Sequence, residues 1–229
     1  LNSTIENSIS GYADKNDKKY GHKTVKGYTL FSISRGIYLL TEGGIDMKRL
    51  IIALTALLVL AAAGAAFAAD VVLTSVGQSP DVMMVRVVLR KMKIDADSEP
   101  LLKADALAGR KVLVAVVGGS SKGLGAAGIN KDQEVERVSS LLKAAKEQGV
   151  KVLVMHIGGE GRRGTLSDAF IEAAAPWGDR IIVVDGGNSD GIFEKLTEGK
   201  NVKILVAPNV NGTSAPLGET LSEWGISAK

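Results

Sequence analysis

From residue 70 onward, short continuous apolar runs alternate with segments whose apolar positions recur every three or four residues. The runs cover residues 71–76, 111–117, 150–155, 180–184 and 202–207. Each is apolar along its length rather than alternating, which is the pattern of a strand buried on both faces. Between the first two, Ser79-Pro80-Asp81 predicts a helix start, with Ser79 as cap, Pro80 in the first turn and Asp81 at the positive end. That helix, to about residue 92, is apolar over most of its surface and is expected to be largely buried. Only Arg86, Arg90 and Lys93 form a polar stripe. Residues 93–110 read as a polar loop with one helical turn at 101–107. Asn130 with Gln133 predicts a capping box, and Val135, Val138, Leu141, Leu142 and Ala145 give the helix behind it one apolar face. Further helices are predicted from Ser167-Asp168 to before Pro176, over 191–196 and over 216–224.

Five buried strands alternating with helices specify an α/β domain: a doubly wound, five-stranded parallel sheet in a three-layer sandwich. The expected order is the flavodoxin-like 2-1-3-4-5, with a Rossmann-like order as the alternative. Residues 70–229 are read as this one domain.

The front of the chain has a different pattern. Met47-Lys48-Arg49 precedes fourteen uncharged residues, 50–63, and Ala66-Phe67-Ala68 follows as an A-x-A cleavage site. This is the layout of a secretory signal peptide, assigned to residues 47–69 with cleavage after Ala68. Fourteen residues fall short of the roughly 20 that span a membrane. Residues 1–46 are polar and lack helical or strand periodicity, so they are expected to be a disordered extension. Glu42-Gly43-Gly44 can be encoded with a ribosome-binding GGAGG just upstream of Met47, which suggests that translation starts there. The expected mature protein is therefore exported, periplasmic or secreted, and bacterial.

Composition sharpens this division. All four Tyr lie before residue 40, and residues 70–229 hold 20 Lys+Arg against 20 Asp+Glu. The net charge of +3 and the pI near 9.0 thus belong to the front of the chain and give no support to nucleic-acid binding. With no Cys, the chain has no disulfide, thiolate metal site or Cys nucleophile. No cofactor is expected, no membrane contact after leader cleavage, and no protein partner is identified.

In such a sheet ligands bind beyond the C-terminal strand ends, near the reversal of strand order. That rule selects five loops rich in glycine and unusual polar residues: 77–79, 118–128, 156–164, 186–190 and 208–214. Glycine there lets backbone N–H groups approach a ligand. Gly119-Ser120-Ser121-Lys122-Gly123-Leu124-Gly125 matches the glycine spacing of short-chain dehydrogenases. However, it follows the second strand rather than the first, and the domain has no Tyr for a Tyr-x-x-x-Lys pair. It also lacks the Gly-Lys-Ser/Thr of a P-loop. Gly119-x-Ser121-x-Gly123 fits a nucleophile elbow, so Ser121, His156 and Asp185 are an alternative catalytic set. Two features oppose it: His precedes the acid in the chain, and the next predicted helix cap lies nine residues after Ser121.

Arg162-Arg163, between glycines and beside Glu160, is suited to clamp a carboxylate or phosphate, with Lys122 as a further cation. The stretch from Asp185 to Gly191 is acidic and glycine-rich without EF-hand spacing. His156 and Glu160 alone are too few for a metal site, so none is expected. Trp177 and Trp224 are expected at the core or its rim.

Three segments together resemble an uncharacterised family of small secreted bacterial α/β domains. They are Thr74-Ser75-Val76-Gly77-Gln78-Ser79-Pro80-Asp81, the glycine stretch 119–128, and His156-Ile157-Gly158-Gly159-Glu160-Gly161-Arg162-Arg163-Gly164. The resemblance covers nearly all of residues 70–229 and implies the fold and the export, with no activity. The functional expectation is a small, anionic ligand bound for transport or sensing. Its site would comprise Gln78 and Ser79, Ser120 to Gly123 (Ser121 and Lys122 included), His156, Glu160, Arg162 and Arg163, and Asp185 with Asn188. The alternatives are the Ser121 hydrolase and a partner-binding module docking through helix 79–92, which predicts an exposed apolar strip on that helix.

Overall fold

The computed structural model describes residues 22–24, 28–33, 36–41 and 69–228. Apart from Ala69, the predicted leader lies outside them. The chain divides into two compact units, Leu1–Gly64 and Ala65–Lys229. In the first, β1 (His22–Thr24), β2 (Tyr28–Ile33) and β3 (Gly36–Thr41) pair antiparallel in that order. The sequence pattern gave no strand there. The segment is rich in β-branched and aromatic residues without alternation, so propensity was present and periodicity was not.

The second unit holds a six-stranded parallel sheet. Its strands are β4 (Val71–Val76), β5 (Ala96–Ser98), β6 (Val112–Val117), β7 (Lys151–His156), β8 (Arg180–Val184) and β9 (Lys203–Ala207), in the order β5-β4-β6-β7-β8-β9. Two expectations are corrected. The sheet has six strands, because Ala96–Ser98 pairs with Val71–Leu73 in what reads as a polar loop. The five strands predicted from apolar runs also lie side by side in chain order. The first is flanked by the second and by the added strand, not by the second and third.

Six helices accompany the sheet: α1 (Asp81–Lys91), α2 (Ser121–Ala126), α3 (Lys131–Glu147), α4 (Thr165–Ala174), α5 (Ile192–Leu196) and α6 (Ser214–Glu223). The helical turn expected at 101–107 is a 3-10 turn, Ala104–Leu107. The capping box forms as predicted: the Gln133 N–H donates to Asn130 Oδ1 and the Asn130 N–H to Gln133 Oε1, both at 2.9 Å.

Successive strand residues point to opposite faces, so each strand feeds two cores. One core joins Val72, Val76, Leu113, Val152 and Val154 to Val138 and Leu141 of α3 and to Phe170 and Ile171 of α4. The other joins Val71, Leu73, Val114 and Met155 to Val82, Val85 and Leu89 of α1 and to Leu217 and Leu221 of α6. This double burial explains the unbroken apolar runs. Helix α1 meets the sheet on one side only. Contrary to expectation, Met83, Met84 and Val87 on its outer side are 48%, 50% and 43% exposed. Among the described residues, no helix is long and apolar enough to cross a membrane.

The strand order places the reversal between β4 and β6. The chain leaves β4 for β5 on one side, then returns to β6 on the other. The crevice above that boundary is framed by the loops after Val76 and Val117. An isolated antiparallel bridge between Gln78 and Gly119 ties the loops together.

Candidate functional site

Gly77 leaves β4 with φ +94°, and a Cβ there would stand 2.4 Å from Phe170 Cδ2 and 2.6 Å from the Gly118 carbonyl oxygen. Only glycine fits that turn. Gln78 follows at φ +56°, unusual for a residue with a side chain. Its Nε2 is tied down, donating to Glu134 Oε1 at 2.9 Å and to the Pro100 carbonyl at 3.2 Å. Glu134, on the first turn of α3, has no solvent exposure. It also accepts from the Gly77 N–H at 2.9 Å and from Arg137 Nε and Nη2, each at 2.8 Å. Arg137 in turn donates to the Ser75 and Leu102 carbonyls. One buried ion pair thus fastens α3 to the loop leaving β4. Neither residue was singled out from sequence. The available signal was that Glu134 sits on the apolar stripe it shares with Val138, Leu141, Leu142 and Ala145.

Helix α1 starts at Asp81, with Pro80 in the cap position. Ser79 is buried, and its Oγ accepts from the Asp81 N–H at 3.3 Å. The Asp81 side chain is 10% exposed, and its Oδ1 lies 3.7 Å from Arg162 Nη2. Its Oδ2 is buried without a hydrogen-bond partner. That oxygen faces the ends of two strands: a Cβ at Gly118 would stand 3.2 Å from it, and one at Gly158 3.4 Å. A Cβ at Gly158 would also meet Arg162 Cγ at 2.1 Å. These glycines leave the room in which Asp81 and Arg162 face each other. Arg162 itself is 45% exposed and looks outward.

The glycine stretch is not the long loop expected. Ser120 Oγ accepts from the Gly123 N–H at 3.0 Å and caps α2, which begins at Ser121. A Cβ at Gly123 would stand 2.0 Å from the Gln78 carbonyl oxygen, so α2 packs directly on the neighbouring loop. Ser121 and Lys122 are exposed on the first turn of this six-residue helix. The immediate helix removes one sequence objection to a nucleophile elbow. The remaining contacts do not assemble a triad. His156 is fully buried, with Nδ1 3.1 Å from the Val117 carbonyl, Nε2 3.2 Å from the Gly159 carbonyl, and its ring against Phe193. Asp185 is exposed and accepts from the Gly186 N–H. No hydrogen bond joins Ser121, His156 and Asp185.

The two adjacent arginines do different things. Arg163 is 13% exposed and donates to Asp168, to both oxygens of Asp190 and to the Gly187 carbonyl. These side-chain hydrogen bonds hold the guanidinium firmly charged. The same bond to Arg163 lowers Asp168 and brings Asp190 from 3.8 to about 2. Arg163 therefore joins the loop after β7, the start of α4 and the loop after β8. Asn188 is engaged too, donating to Glu194 and accepting from the Phe193 N–H. The structure brings Gln78, Ser79, Ser120, Gly123 and Arg162 around the crevice and leaves Glu160 and Asp185 exposed. His156, Arg163 and Asn188 have structural partners. Among the described residues, no group of three or more His, Asp and Glu could hold a metal ion. Trp177 and Trp224 are half-buried at the rim.

The model of a protein family described as Domain of unknown function (DUF6305) matches residues 68–221. No curated protein and no solved structure matches the chain.

Proposed function

We propose that this chain, which belongs to the DUF6305 family of domains of unknown function, is an exported binding domain for a small acidic molecule. The ligand sits over the crevice between β4 and β6 and serves transport or sensing. The observation that carries this reading is Asp81 Oδ2, a buried carboxylate oxygen without a partner, beside the outward-facing Arg162. Buried polar atoms in native proteins are nearly always satisfied. The pair suits a molecule that presents an acidic group to Arg162 and a hydroxyl or ammonium donor to Asp81. An amino acid or hydroxy acid has this chemistry. The strand order supports the flavodoxin-like form of the doubly wound fold, in which the site lies at the order reversal. Export is supported by the charged, apolar and small-residue layout of residues 47–68. No contact supports the Ser121 hydrolase.

The test is native mass spectrometry of the full chain and of Arg162→Gln and Asp81→Asn. The expected result is a bound mass on the unaltered chain that falls in both variants. Equal occupancy in all three would overturn the proposed site.

One observation favours a second reading, a partner-docking role for α1: Met83, Met84 and Val87 form the exposed apolar strip that such a module requires. Met83→Ser with Val87→Ser would then abolish partner capture without changing ligand occupancy.

A further inference from the structure

A cavity of about 350 Å³ lies beside the C-terminal half of α1 and the start of β5. Strand β5 runs parallel to β4, with Ala96 level with Val71. The cavity is therefore at the N-terminal edge of the sheet, the end opposite the crevice. Leu89, Ile94 and Ala96 give it apolar walls, and Arg86, Arg90 and Lys93 bring three cations to it. One carboxylate, Asp95, also lines it. None of the three cations makes an ion pair or side-chain hydrogen bond with a described residue. The negative end of a helix favours cations in the last turn. That accounts for Arg90, but not for Arg86 a turn earlier or for Lys93 beyond the helix.

Lys93 is the more telling residue. Its backbone is left-handed, at φ +57°. Its N–H donates to the Arg90 carbonyl at 3.0 Å, and the Ile94 N–H to the Leu89 carbonyl at 3.0 Å. This is the paired bonding of a Schellman turn, whose left-handed position is ordinarily glycine because a Cβ is strained there. A lysine in that position opposes local stability and adds a third cation to the cavity wall.

We propose that this cavity is a second binding site, for an organic anion with a short aliphatic body. A phosphate or carboxylate head would meet Arg86, Arg90 and Lys93, and the short chain would lie along Ala96 and the exposed edge of Ile94. Its volume falls within the range of small-ligand pockets, about 300–1,000 Å³. The site is independent of the crevice and shares no residue with it.

The test is a nuclear magnetic resonance titration of the full chain with butyl phosphate, pentanoate and, as a head-only probe, inorganic phosphate. Butyl phosphate or pentanoate should shift backbone amides across residues 86–96 and bind more tightly than inorganic phosphate. The tighter of the two assigns the head group. Lys93→Gly should weaken that binding about tenfold, the loss of one charge-assisted contact. The same change should raise Tm by about 2 °C, because glycine relieves the left-handed strain. A variant more stable than its parent yet poorer at binding cannot have lost the site through misfolding. The proposal is overturned if shifts fall only at the crevice, if no probe binds, if phosphate alone binds as tightly, or if Lys93→Gly binds unchanged.

Discussion

Glu134 has no access to solvent, and four donors converge on it from Gly77, Gln78 and Arg137. Removing one member of a buried pair strands the other. Glu134→Ala should therefore cost about 3–5 kcal/mol, largely because Arg137 is left uncompensated. A chemical-denaturation midpoint within error of the parent would refute that assignment. The Arg163 cluster offers a pH test. Asp168 and Asp190 both titrate below their free value of 3.8 when folded, Asp190 at about 2, because Arg163 hydrogen-bonds the charged form. The unfolded chain thus takes up protons first as pH falls. The cluster's contribution is complete above about pH 4 and drains away towards about pH 2. Urea midpoints across that window should fall less steeply for Asp190→Asn than for the parent. Parallel curves would mean that Asp190 adds nothing to this pH dependence.

At the scale of elements, α2 explains the glycine stretch that sequence reading matched to enzyme motifs. Two of its glycines differ in kind. A Cβ at Gly123 would run into the Gln78 carbonyl, whereas one at Gly125 would meet nothing within 4 Å. Gly123→Ala should displace α2 and destabilise by about 1–3 kcal/mol. Gly125→Ala, in open helix, should stabilise by up to about 1 kcal/mol. Similar melting temperatures for both variants would contradict this packing. Sequence could not separate them, because the difference lies in a neighbour more than forty positions away. The same limit hid β5: Ala96-Asp97-Ser98 has no apolar run, and its strand state comes from pairing with β4. Elements buried on both faces were legible, since burial writes itself into composition. The exposed strip of α1 entered only as what the partner-binding alternative requires, because an apolar residue facing solvent looks the same in sequence as one facing the core.

For the whole molecule, five of the six strands of the parallel sheet followed from their apolar runs. Strand order did not, since any of these runs could neighbour any other. At the candidate site, Gln78, Ser79, Ser120 and Arg162 were legible as loop residues beyond the C-terminal strand ends, whereas Gly123, read in the same loop, lies in α2. Glu134 and Arg137 were not singled out: Glu134 shares the apolar stripe of its helix, but the loop donors that meet it there come from residues far away in sequence. Hydrogen exchange gives a global check. Amides of β6 and β7, paired on both sides, should exchange only with global opening, and those of β5 well before them. Uniform protection across the sheet would argue against β5 as a short edge.

The order also sets how the crevice is laid out along the chain. From β6 onward each strand pairs with the one just before it in the sequence. The crevice, framed by the ends of β4, β6 and β7 with α1 and α2, is therefore encoded entirely ahead of β8 and β9. Chains cut short after α4 would still hold every residue that frames it, while lacking the far edge that protects one side of β7.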